Sequence, residues 1–512
     1  MKPFAAQISR RPLSASLAGV LFLLLCRLSN SLALETAQKP NIVFLMVDDM
    51  GYGDPSCYNP ESKIPTPQLD RLAAEGMRFT DAHSPSAVCT PTRYGVLTGR
   101  YAWRSPLKRG VLSGYSPSLI EDGRVTVASL LRQHGYRTAV VGKWHLGLDW
   151  TTKSQPKGNP SFEAPDYAKA EGLELDYSKP VRRGPNQLGF DYSYILPASL
   201  DMAPYVFVEN GRLTEPADAT TEGKREGGVF WRRGAKGRSF DFLEVTPHLT
   251  EKAVNWIGDS LQSKQPLFLY FALPSPHTPW MPTPDVQGKS GAGQYGDFVV
   301  LVDQMIGRIA DTLNRVESNR NTLFIVTSDN GSDWRPEHIQ QTGHYSNHRM
   351  LRGRKRDAWE GGHRVPFIVR WRGRVKPGSV SGETITHTDL MATAAEVAGA
   401  RVPAAEGEDS YSILPILLGK KLAGPLREAT VHHSVDGMFS LRQGDWKLID
   451  GQGPGSSQWD GPQPGDPPGQ LYNLTEDIGE TKNLFNERPE IVKRLKALLE
   501  KVRLQGRSRT KL

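Results

Sequence analysis

Short apolar runs that end abruptly in polar residues recur along the chain. They have the length of strands and are rich in β-branched side chains, and such near-continuous apolar strands are typical of a parallel sheet covered on both faces. The runs are residues 42–47, 138–141, 267–272, 323–327 and 367–371. Segments with apolar residues at helical spacing lie between them, at 67–75, 125–134, 249–261 and 298–316. We therefore predict an α/β fold with a large, mostly parallel sheet sandwiched by helices.

The pattern changes at about residue 426. Four short strand-like runs follow, at 429–433, 439–442, 446–449 and 470–474, and then an amphipathic helix at 490–504. This predicts a smaller antiparallel sheet with one packed helix. The expected organisation is a leader at 1–34, a main domain at 35–425 that carries the candidate site, and a C-terminal α+β subdomain at 426–512.

The first 34 residues have the features of a removable export signal. Lys2, Arg10 and Arg11 precede a short apolar run at 17–26, and Ser31-Leu32-Ala33 offers a cleavage site. The run is shorter than the roughly 20 residues of a membrane span. We expect an exported protein without a membrane segment after cleavage. It would be periplasmic or secreted, or lysosomal or extracellular in a eukaryote.

Composition and charge narrow the class of protein. The 512 residues are 38% hydrophobic and 23% charged, which is typical of a soluble globular protein. The net charge is +8, and the leader holds four basic residues and no acidic one, so the mature chain carries 8 − 4 = +4. This mild excess is compatible with an anionic substrate. No nucleic-acid-binding module is recognisable, so we expect no nucleic-acid partner.

Two cysteines remain after the leader, Cys57 and Cys89. In an exported protein they could form one disulfide. The alternative is that Cys89 is chemically modified and Cys57 is a lone thiol. These two interpretations exclude each other.

Four of the apolar runs lead into polar residues that could act in chemistry. Asp48 and Asp49 follow the first, and Asp329 and Asn330 follow the fourth. Ligands bind beyond the carboxyl ends of parallel strands, and paired oxygen side chains there fit Ca²⁺ or Mg²⁺. Either pair alone could be turn residues. Two pairs in a chain that also contains Cys89 and Arg93 favour a metal site.

Cys89 lies in Cys89-Thr90-Pro91-Thr92-Arg93, preceded by Ser86-Ala87-Val88 and followed by Thr98-Gly99-Arg100. Thr90 is expected to cap a helix with Pro91 in its first turn, which would place Cys89 at the positive end of the helix. Cationic and polar candidates occur further along the chain: Lys143, His145, Ser199, His277 and Lys355.

With these motifs in this order, residues 39–484 resemble the sulfatase family of the alkaline-phosphatase superfamily, of the arylsulfatase A-like type. The resemblance implies that a formylglycine-generating enzyme oxidises Cys89 to formylglycine, whose hydrate attacks sulfur. It implies Ca²⁺, or Mg²⁺, as the metal. The implied ligands are Asp48, Asp49, Asp329, Asn330 and the modified Cys89.

The resemblance also implies roles for the other motif residues. Arg93 orients the hydrate, and His145 takes the proton that triggers sulfate release. Asp329 is the base for the attacking hydroxyl. Lys143, Lys355, His277 and Ser199 bind the sulfate group, and His277 or Lys355 protonates the leaving alcohol.

The expected function is a sulfuric ester hydrolase that acts on a sulfated carbohydrate or an aryl sulfate. One alternative is a phosphonate or phosphate ester hydrolase of the same superfamily. Another is an unconverted protein that binds sulfated glycans. Polar residues near the motifs are candidates for substrate specificity, although loop packing explains each of them equally well: Asp201, Tyr205, His344, His348, Arg352 and His363.

Overall fold

The structure is a computed structural model that describes Met1 and residues 39–153, 175–260, 263–316, 322–456, 459 and 461–509. Apart from Met1, the predicted leader lies outside the described residues. The described residues from 40 onward form one compact unit. The boundary expected at 425/426 stays a prediction.

The strands belong to one large sheet, three two-stranded ribbons and one small sheet. In chain order they are β1 (Asn41–Asp48), β2 (Met77–Phe79), β3 (Ala82–His83), β4 (Arg137–Lys143), β5 (Tyr192–Leu196), β6 (Val208–Glu209), β7 (Arg212–Leu213), β8 (Ala219–Thr221), β9 (Lys224–Glu226), β10 (Val229–Trp231), β11 (Gly234–Lys236), β12 (Leu267–Pro276), β13 (Thr322–Ser328), β14 (Phe367–Arg370), β15 (Ser379–Ser381), β16 (Ile385–Thr386), β17 (Thr430–His433), β18 (Phe439–Gln443), β19 (Trp446–Ile449) and β20 (Gln470–Asn473).

The large sheet has ten strands in the order β15-β2-β14-β13-β1-β12-β4-β5-β6-β7. Its centre, from β13 to β5, is entirely parallel. β14 and β6 run against their neighbours. The predicted mostly parallel sheet is therefore confirmed, but the apolar run at 367–371 forms an antiparallel strand. Apolar content alone does not indicate strand direction.

Helices cover both faces of this sheet. In chain order, the helices of the described residues are α1 (Pro67–Glu75), α2 (Cys89–Thr98), α3 (Val127–Gln133), α4 (Val245–Ser260), α5 (Gly293–Val316), α6 (Pro336–Thr342), α7 (Glu360–His363), α8 (Leu390–Val397), α9 (Leu414–Leu417) and α10 (Pro489–Leu504). Short 3₁₀ helices occupy Ala102–Arg104, Pro185–Leu188 and His387–Asp389.

Strand β1 shows how the two layers form. Ile42, Phe44 and Met46 contribute to the core beneath α2, α3 and α8. Their neighbours Val43, Leu45 and Val47 point to the other face, into the core beneath α1, α4 and α5. Successive side chains of a strand alternate between faces, so a fully apolar strand needs cover on both sides.

The C-terminal part contains the predicted small sheet, in the antiparallel order β17-β18-β19-β20. α10 packs on it through Leu495, Leu498 and Val502. Tyr101 and Trp103, just after α2, belong to the same apolar cluster. The small sheet is thus packed directly against the segment that follows Cys89 and its helix.

The five parallel strands β1, β4, β5, β12 and β13 each lead into polar residues at their carboxyl ends, which lie at the same edge of the large sheet. The structure adds β5, which leads to Ser199, to the four strands expected from sequence. Close approach at this edge depends on Gly142 of β4, whose φ is 112°. A Cβ there would lie 1.9 Å from the carbonyl oxygen of Ala272 in β12, so only glycine fits.

Candidate active site

Two strand ends bring together four oxygen-bearing side chains. Asp48 ends β1 and Asp49 follows it, while Asp329 and Asn330 follow β13. The backbone N–H of Asp49 donates to Oδ1 of Asp329 (3.2 Å), and the Asn330 amide donates to Oδ1 of Asp49 (2.6 Å). All four residues are buried. The two acidic pairs noticed in the sequence therefore form one cluster.

Two oxygens of this cluster have no hydrogen-bond partner although they are buried. They are Oδ1 of Asp48 and Oδ1 of Asn330. A buried polar atom without a partner is costly, and a hard divalent cation prefers such carboxylate and amide oxygens. Candidate ligand atoms of Asp48, Asp329 and Cys89 lie within 4.8 Å of one another. These residues fit a Ca²⁺ or Mg²⁺ ion.

Cys89 is the first residue of α2. The helix begins two residues earlier than expected, with Val88 in the extended N-cap position. Thr90 as the cap is therefore wrong; its hydroxyl instead accepts a hydrogen bond from the backbone N–H of Leu112 (3.1 Å). Cys89 still lies at the N-terminus of a ten-residue helix that is buried throughout. Negative charge is stabilised at this end of a helix.

Neither cysteine of the described residues forms a disulfide. The disulfide alternative is therefore wrong for this structure. Burial raises the pKa of the Cys89 thiol, and the positive charges of Lys143 and Lys355 only partly oppose the rise. The unmodified side chain is then a neutral thiol near pH 7, which is a poor nucleophile. Burial likewise raises the pKa of Cys57 to about 12.

Three cations contact the acidic cluster. The Lys143 ammonium at the end of β4 lies 2.5 Å from Oδ2 of Asp48, and that of Lys355 lies 2.8 Å from Oδ2 of Asp49. Arg93 donates to Oδ2 of Asp329 from two nitrogens, at 2.7 and 3.2 Å. Burial disfavours the charge on Arg93, but Asp329 and the other nearby acidic groups together outweigh this effect and raise the pKa of Arg93.

His145 follows β4 with a left-handed backbone, φ 55°. Its Nε2 lies 2.7 Å from the carbonyl oxygen of Leu112. Because a carbonyl can only accept, Nε2 carries the hydrogen. Nδ1 is buried and has no partner. Burial and the nearby charge of Lys143 hold the pKa of His145 well below its usual range. His145 is therefore a neutral imidazole with a free lone pair.

His277 follows β12. Its Nδ1 lies 2.7 Å from the Thr278 carbonyl oxygen and 3.4 Å from Oγ of Ser199. Its Nε2 lies 3.7 Å from Oδ2 of Asp49. The Ser199 hydroxyl is also 3.2 Å from the Lys143 ammonium. Ser199 thus lies between two of the predicted sulfate ligands.

These groups open into a cavity of about 490 Å³. Its lining includes five of the predicted site residues: Asp49, Cys89, Ser199, His277 and Lys355. The other six, which are buried and do not line the cavity, are Asp48, Arg93, Lys143, His145, Asp329 and Asn330. The volume is within the ordinary range for a small-molecule site, about 300–1,000 Å³.

Of the specificity candidates, Asp201 alone lines this cavity. Tyr205 is buried beneath it and donates to the carbonyl oxygens of Asp201 and Arg232. His344 binds Asp54 at 2.8 Å, and Arg352 stacks over Trp359. His348 lines a different cavity, and His363 belongs to a histidine cluster described next.

The histidine cluster comprises His83, His363 and His432. Lys447 donates to Nε2 of His363 (3.1 Å), the Nδ1 atoms of His363 and His83 are 3.0 Å apart, and Nε2 of His83 lies 2.9 Å from Asp81. This arrangement satisfies the rings of His363 and His83 and places an ammonium group beside them. A cation would have to displace it, so we interpret the cluster as a structural link between β3 and β19.

Sequence reasoning missed several residues at the cavity mouth. Arg225, Phe230 and Arg232 lie on or next to the short β9–β10 hairpin, and Asp333, Arg335 and His338 lie in or just before α6. Two more lie elsewhere: Trp280 follows β12, and Arg356 is next to Lys355. Strands of three residues give no periodic signal. The clustering of arginine at 225, 232 and 233 was the available hint.

Comparison with known proteins gives the family. The model of the sulfatase family matches residues 40–400, and a model described as the C-terminal part of N-sulphoglucosamine sulphohydrolase matches residues 348–505. The chain belongs to the sulfatase family. An N-acetylgalactosamine-6-O-sulfatase of Bacteroides thetaiotaomicron is 33% identical over 92% of this chain and 94% of its own length. Human arylsulfatase A is 32% identical over 91% and 88%.

Solved structures agree with the family. A sulfatase structure described for glycosaminoglycan metabolism by Bacteroides thetaiotaomicron aligns with a TM-score of 0.78 and 34% identity, over 91% of this chain and 99% of that one. A phosphonate monoester hydrolase of Agrobacterium radiobacter, at 18% identity and a TM-score of 0.58, shares the fold alone. This sulfatase is therefore a sulfuric ester hydrolase. None of its described helices has the length and apolar character needed to span a membrane.

Proposed function

We propose that this sulfatase is an exported, formylglycine-dependent enzyme that releases sulfate from a sulfated carbohydrate. The observation that carries the proposal is the position of Cys89: at the start of α2, on the cavity surface, with its sulfur within 4.8 Å of carboxylate oxygens of Asp48 and Asp329. The formylglycine hydrate supplies two hydroxyls, so that one can attack the ester and loss of the other's proton can expel sulfate.

Asp48, Asp49, Asp329 and Asn330 would hold Ca²⁺, or Mg²⁺, with the modified Cys89. The unpartnered Oδ1 atoms of Asp48 and Asn330 support this assignment. Such an ion would supply positive charge that stabilises the sulfate group and the attacking oxygen. Arg93 fixes Asp329 through two N–H groups. That contact orients the carboxylate we propose as the base for the attacking hydroxyl.

The two lysines suit the binding of sulfate oxygens. An ammonium group has three donors. Among the described residues, Lys355 uses one donor on Asp49 and lines the cavity, and Lys143 uses two, on Asp48 and Ser199. His277 and Ser199 add polar atoms on the same side. Donors fixed before the reaction stabilise the charge that develops in the transition state.

His145 is suited to accept a proton. Its hydrogen is held by the Leu112 carbonyl at Nε2, which leaves Nδ1 as a base. We propose that this atom takes the proton whose loss expels sulfate. His277 or Lys355, both exposed to the cavity, would protonate the leaving alcohol.

The substrate is proposed from the relatives. A 6-O-sulfated N-acetylhexosamine is the first candidate, because an N-acetylgalactosamine-6-O-sulfatase matches over nearly its whole length. The test is sulfate release from a panel of position-defined sulfated monosaccharides, with nitrophenyl sulfate and nitrophenyl phosphate alongside. Preference for one sulfated sugar supports the proposal. A large preference for the phosphate ester would support the phosphohydrolase alternative instead.

Export and modification have separate tests. The basic and apolar pattern of residues 1–34 supports removal of the leader, and the N-terminal sequence of protein isolated from the native host checks it. Conversion by a formylglycine-generating enzyme is tested by expression with and without that partner. Activity should require the partner.

A further inference from the structure

The β9–β10 hairpin has two chemically different faces. Arg225 pairs across the strands with Phe230, and Lys224 pairs with Trp231. Trp231 stacks on Phe242, with ring centroids 4.4 Å apart, and so faces the protein interior. Arg225 and Phe230 line the cavity, whereas Lys224 and Trp231 do not. The alternation of side chains along a strand accounts for this division.

The hairpin is fixed to the loop that carries His277. The carbonyl oxygen of Gly228 accepts hydrogen bonds from the backbone N–H of Trp280 (3.0 Å) and the hydroxyl of Thr278 (2.7 Å). A Cβ on Gly228 would lie 1.8 Å from the Trp280 ring, so the turn rests directly on the indole. The cavity-facing side chains are therefore held in a defined position relative to the sulfate-binding groups.

Positive charge exceeds negative charge around this cavity. The cationic lining residues are Arg225, Arg232, Arg335, Lys355 and Arg356, and the acidic ones are Asp49, Asp201 and Asp333. Asp49 already belongs to the proposed metal site. A sulfate monoester carries one negative charge, and so it would leave part of this excess unbalanced.

Arg225 is the cation with the fewest partners. Its guanidinium lies 4.7 Å from the centroid of the Phe230 ring, and no ion pair joins it to a carboxylate within the described part of the chain. Arg232 lies 5.0 Å from the same ring and is paired with Asp201. Arg335 and Arg356 share Asp333, at 3.4 and 3.2 Å. Arg225 is also exposed, whereas Cys89 is buried at the inner end of the cavity.

We infer that Arg225, flanked by Arg232 on the Phe230 ring, forms a second anion subsite at the cavity mouth. It binds a carboxylate or a further sulfate group on the sugar beyond the one that is desulfated. The substrate class is thus an acidic glycan with at least two anionic groups. A guanidinium recognises carboxylate and sulfate through charge-assisted hydrogen bonds. This inference rests on the proposed sulfatase reaction at Cys89 and deepens it.

The test compares matched substrates. One is a disaccharide with the sulfated sugar and a neighbouring uronate, the second is the methyl ester of that uronate, and a third carries a second sulfate in place of the carboxylate. For the unmodified protein we expect a kcat/KM at least about tenfold higher on the acid than on the ester, since the ester cannot form the charge-assisted hydrogen bond. The third substrate shows which anion is preferred.

Two variants distinguish the loss of a positive charge in the cavity from the loss of one elsewhere on the hairpin. Arg225→Gln should reduce the acid-to-ester ratio to near one. Lys224→Gln removes the same charge from the same hairpin on its other face, and should keep the ratio. Equal rates on acid and ester in the unmodified protein, or equal ratios in the two variants, would overturn the inference. These acid-to-ester ratios of kcat/KM can be measured only if the protein releases sulfate.

A binding experiment separates failure of the subsite from failure of the proposed reaction. In a Cys89→Ala background, calorimetry measures the Kd of the same acid and ester without turnover. Weaker binding of the acid after Arg225→Gln, with the ester unchanged, supports the subsite even if no substrate is hydrolysed. Identical Kd values for acid and ester contradict it even if sulfate release is rapid.

Discussion

The Lys143 ammonium lies 2.5 Å from Oδ2 of Asp48, at the ends of two strands that are not neighbours. β12 lies between β1 and β4, so the pair spans an intervening strand at the sheet edge. Both side chains are fully buried. Burial alone would raise the pKa of Asp48, but Lys143, His277 and Arg93 together lower it. The ion pair therefore keeps a proposed metal ligand ionised.

Replacing Lys143 should destabilise the protein more without metal than with it. Lys143→Met leaves the buried Asp48 charge without its partner, and breaking such a pair costs about 3–5 kcal/mol. A bound divalent cation would compensate part of this loss. Urea unfolding of both proteins in EDTA and in Ca²⁺ measures the difference. The same loss in both buffers would argue against a metal at Asp48.

Replacing His145 should reduce turnover without weakening binding. His145→Ala removes the free Nδ1 lone pair, and loss of a general base typically lowers kcat by about 10²–10⁴-fold. KM should change much less, because His145 does not line the cavity. His348→Ala is the control, since that half-buried histidine lines a different cavity. A rise in KM with normal kcat would contradict the role of a base.

Buried histidines should make the fold sensitive to acid. Burial lowers the pKa of His433 to about 4 and that of His387 to about 3, below the value near 6.5 expected in the unfolded chain. Below pH 6.5 these histidines bind protons in the unfolded chain but stay neutral in the folded protein. The contribution of each such histidine to the free energy of unfolding should therefore be constant above about pH 7 and fall by about 1.4 kcal/mol per pH unit below 6.5, down to its pKa in the folded protein.

Urea unfolding from pH 8 to pH 4.5 checks this expectation. His363, His432 and His83 also have pKa values lowered by burial and act in the same direction. His433→Gln should reduce the loss of unfolding free energy below pH 6.5 by the contribution of one histidine, about 1.4 kcal/mol per pH unit. A pH profile of His433→Gln that runs parallel to that of the unmodified protein would show that this ring takes up its proton equally in the folded and unfolded states.

Replacing Cys89 should separate folding from turnover. Cys89→Ala should abolish sulfate release while the unfolding transition stays close to that of the unmodified protein. Cys89→Ser should stop after at most one sulfate transfer, because a single hydroxyl cannot expel the sulfate it has accepted. Single-turnover and multiple-turnover assays distinguish these outcomes. Repeated turnover by the serine variant would show that the aldehyde is not required.

The large sheet and its active edge could be predicted from sequence because they depend on local pattern. Runs such as 42–47 are apolar throughout, and the residue that follows each parallel strand must lie at one edge. β5 was not predicted because Tyr192–Leu196 mixes aromatic and polar side chains and so does not form a continuous apolar run. The antiparallel direction of β14 is fixed by its pairing with β13, which no local pattern encodes.

The cavity mouth could not be predicted for a related reason. The position of Arg225 depends on a strand of only three residues and on the contact of Gly228 with Trp280. Gly228 and Trp280 are 52 residues apart in the sequence and come together only in the folded chain. Asp49 and His277, by contrast, directly follow the ends of parallel strands, so their place in the cavity could be predicted from the sequence. Residues at its mouth depend on loops, where sequence patterns give little direct information.

The most direct test of the account is the mass of the tryptic peptide spanning residues 79–93, measured in the active protein. Conversion of Cys89 removes the sulfur with its hydrogen and one of the two hydrogens on the thiol carbon, and it adds one aldehyde oxygen. We predict a peptide lighter by the difference between H₂S and O, in a fraction that rises in proportion to specific activity when a formylglycine-generating enzyme is supplied. A fully active protein in which this peptide retains an intact thiol would contradict the account.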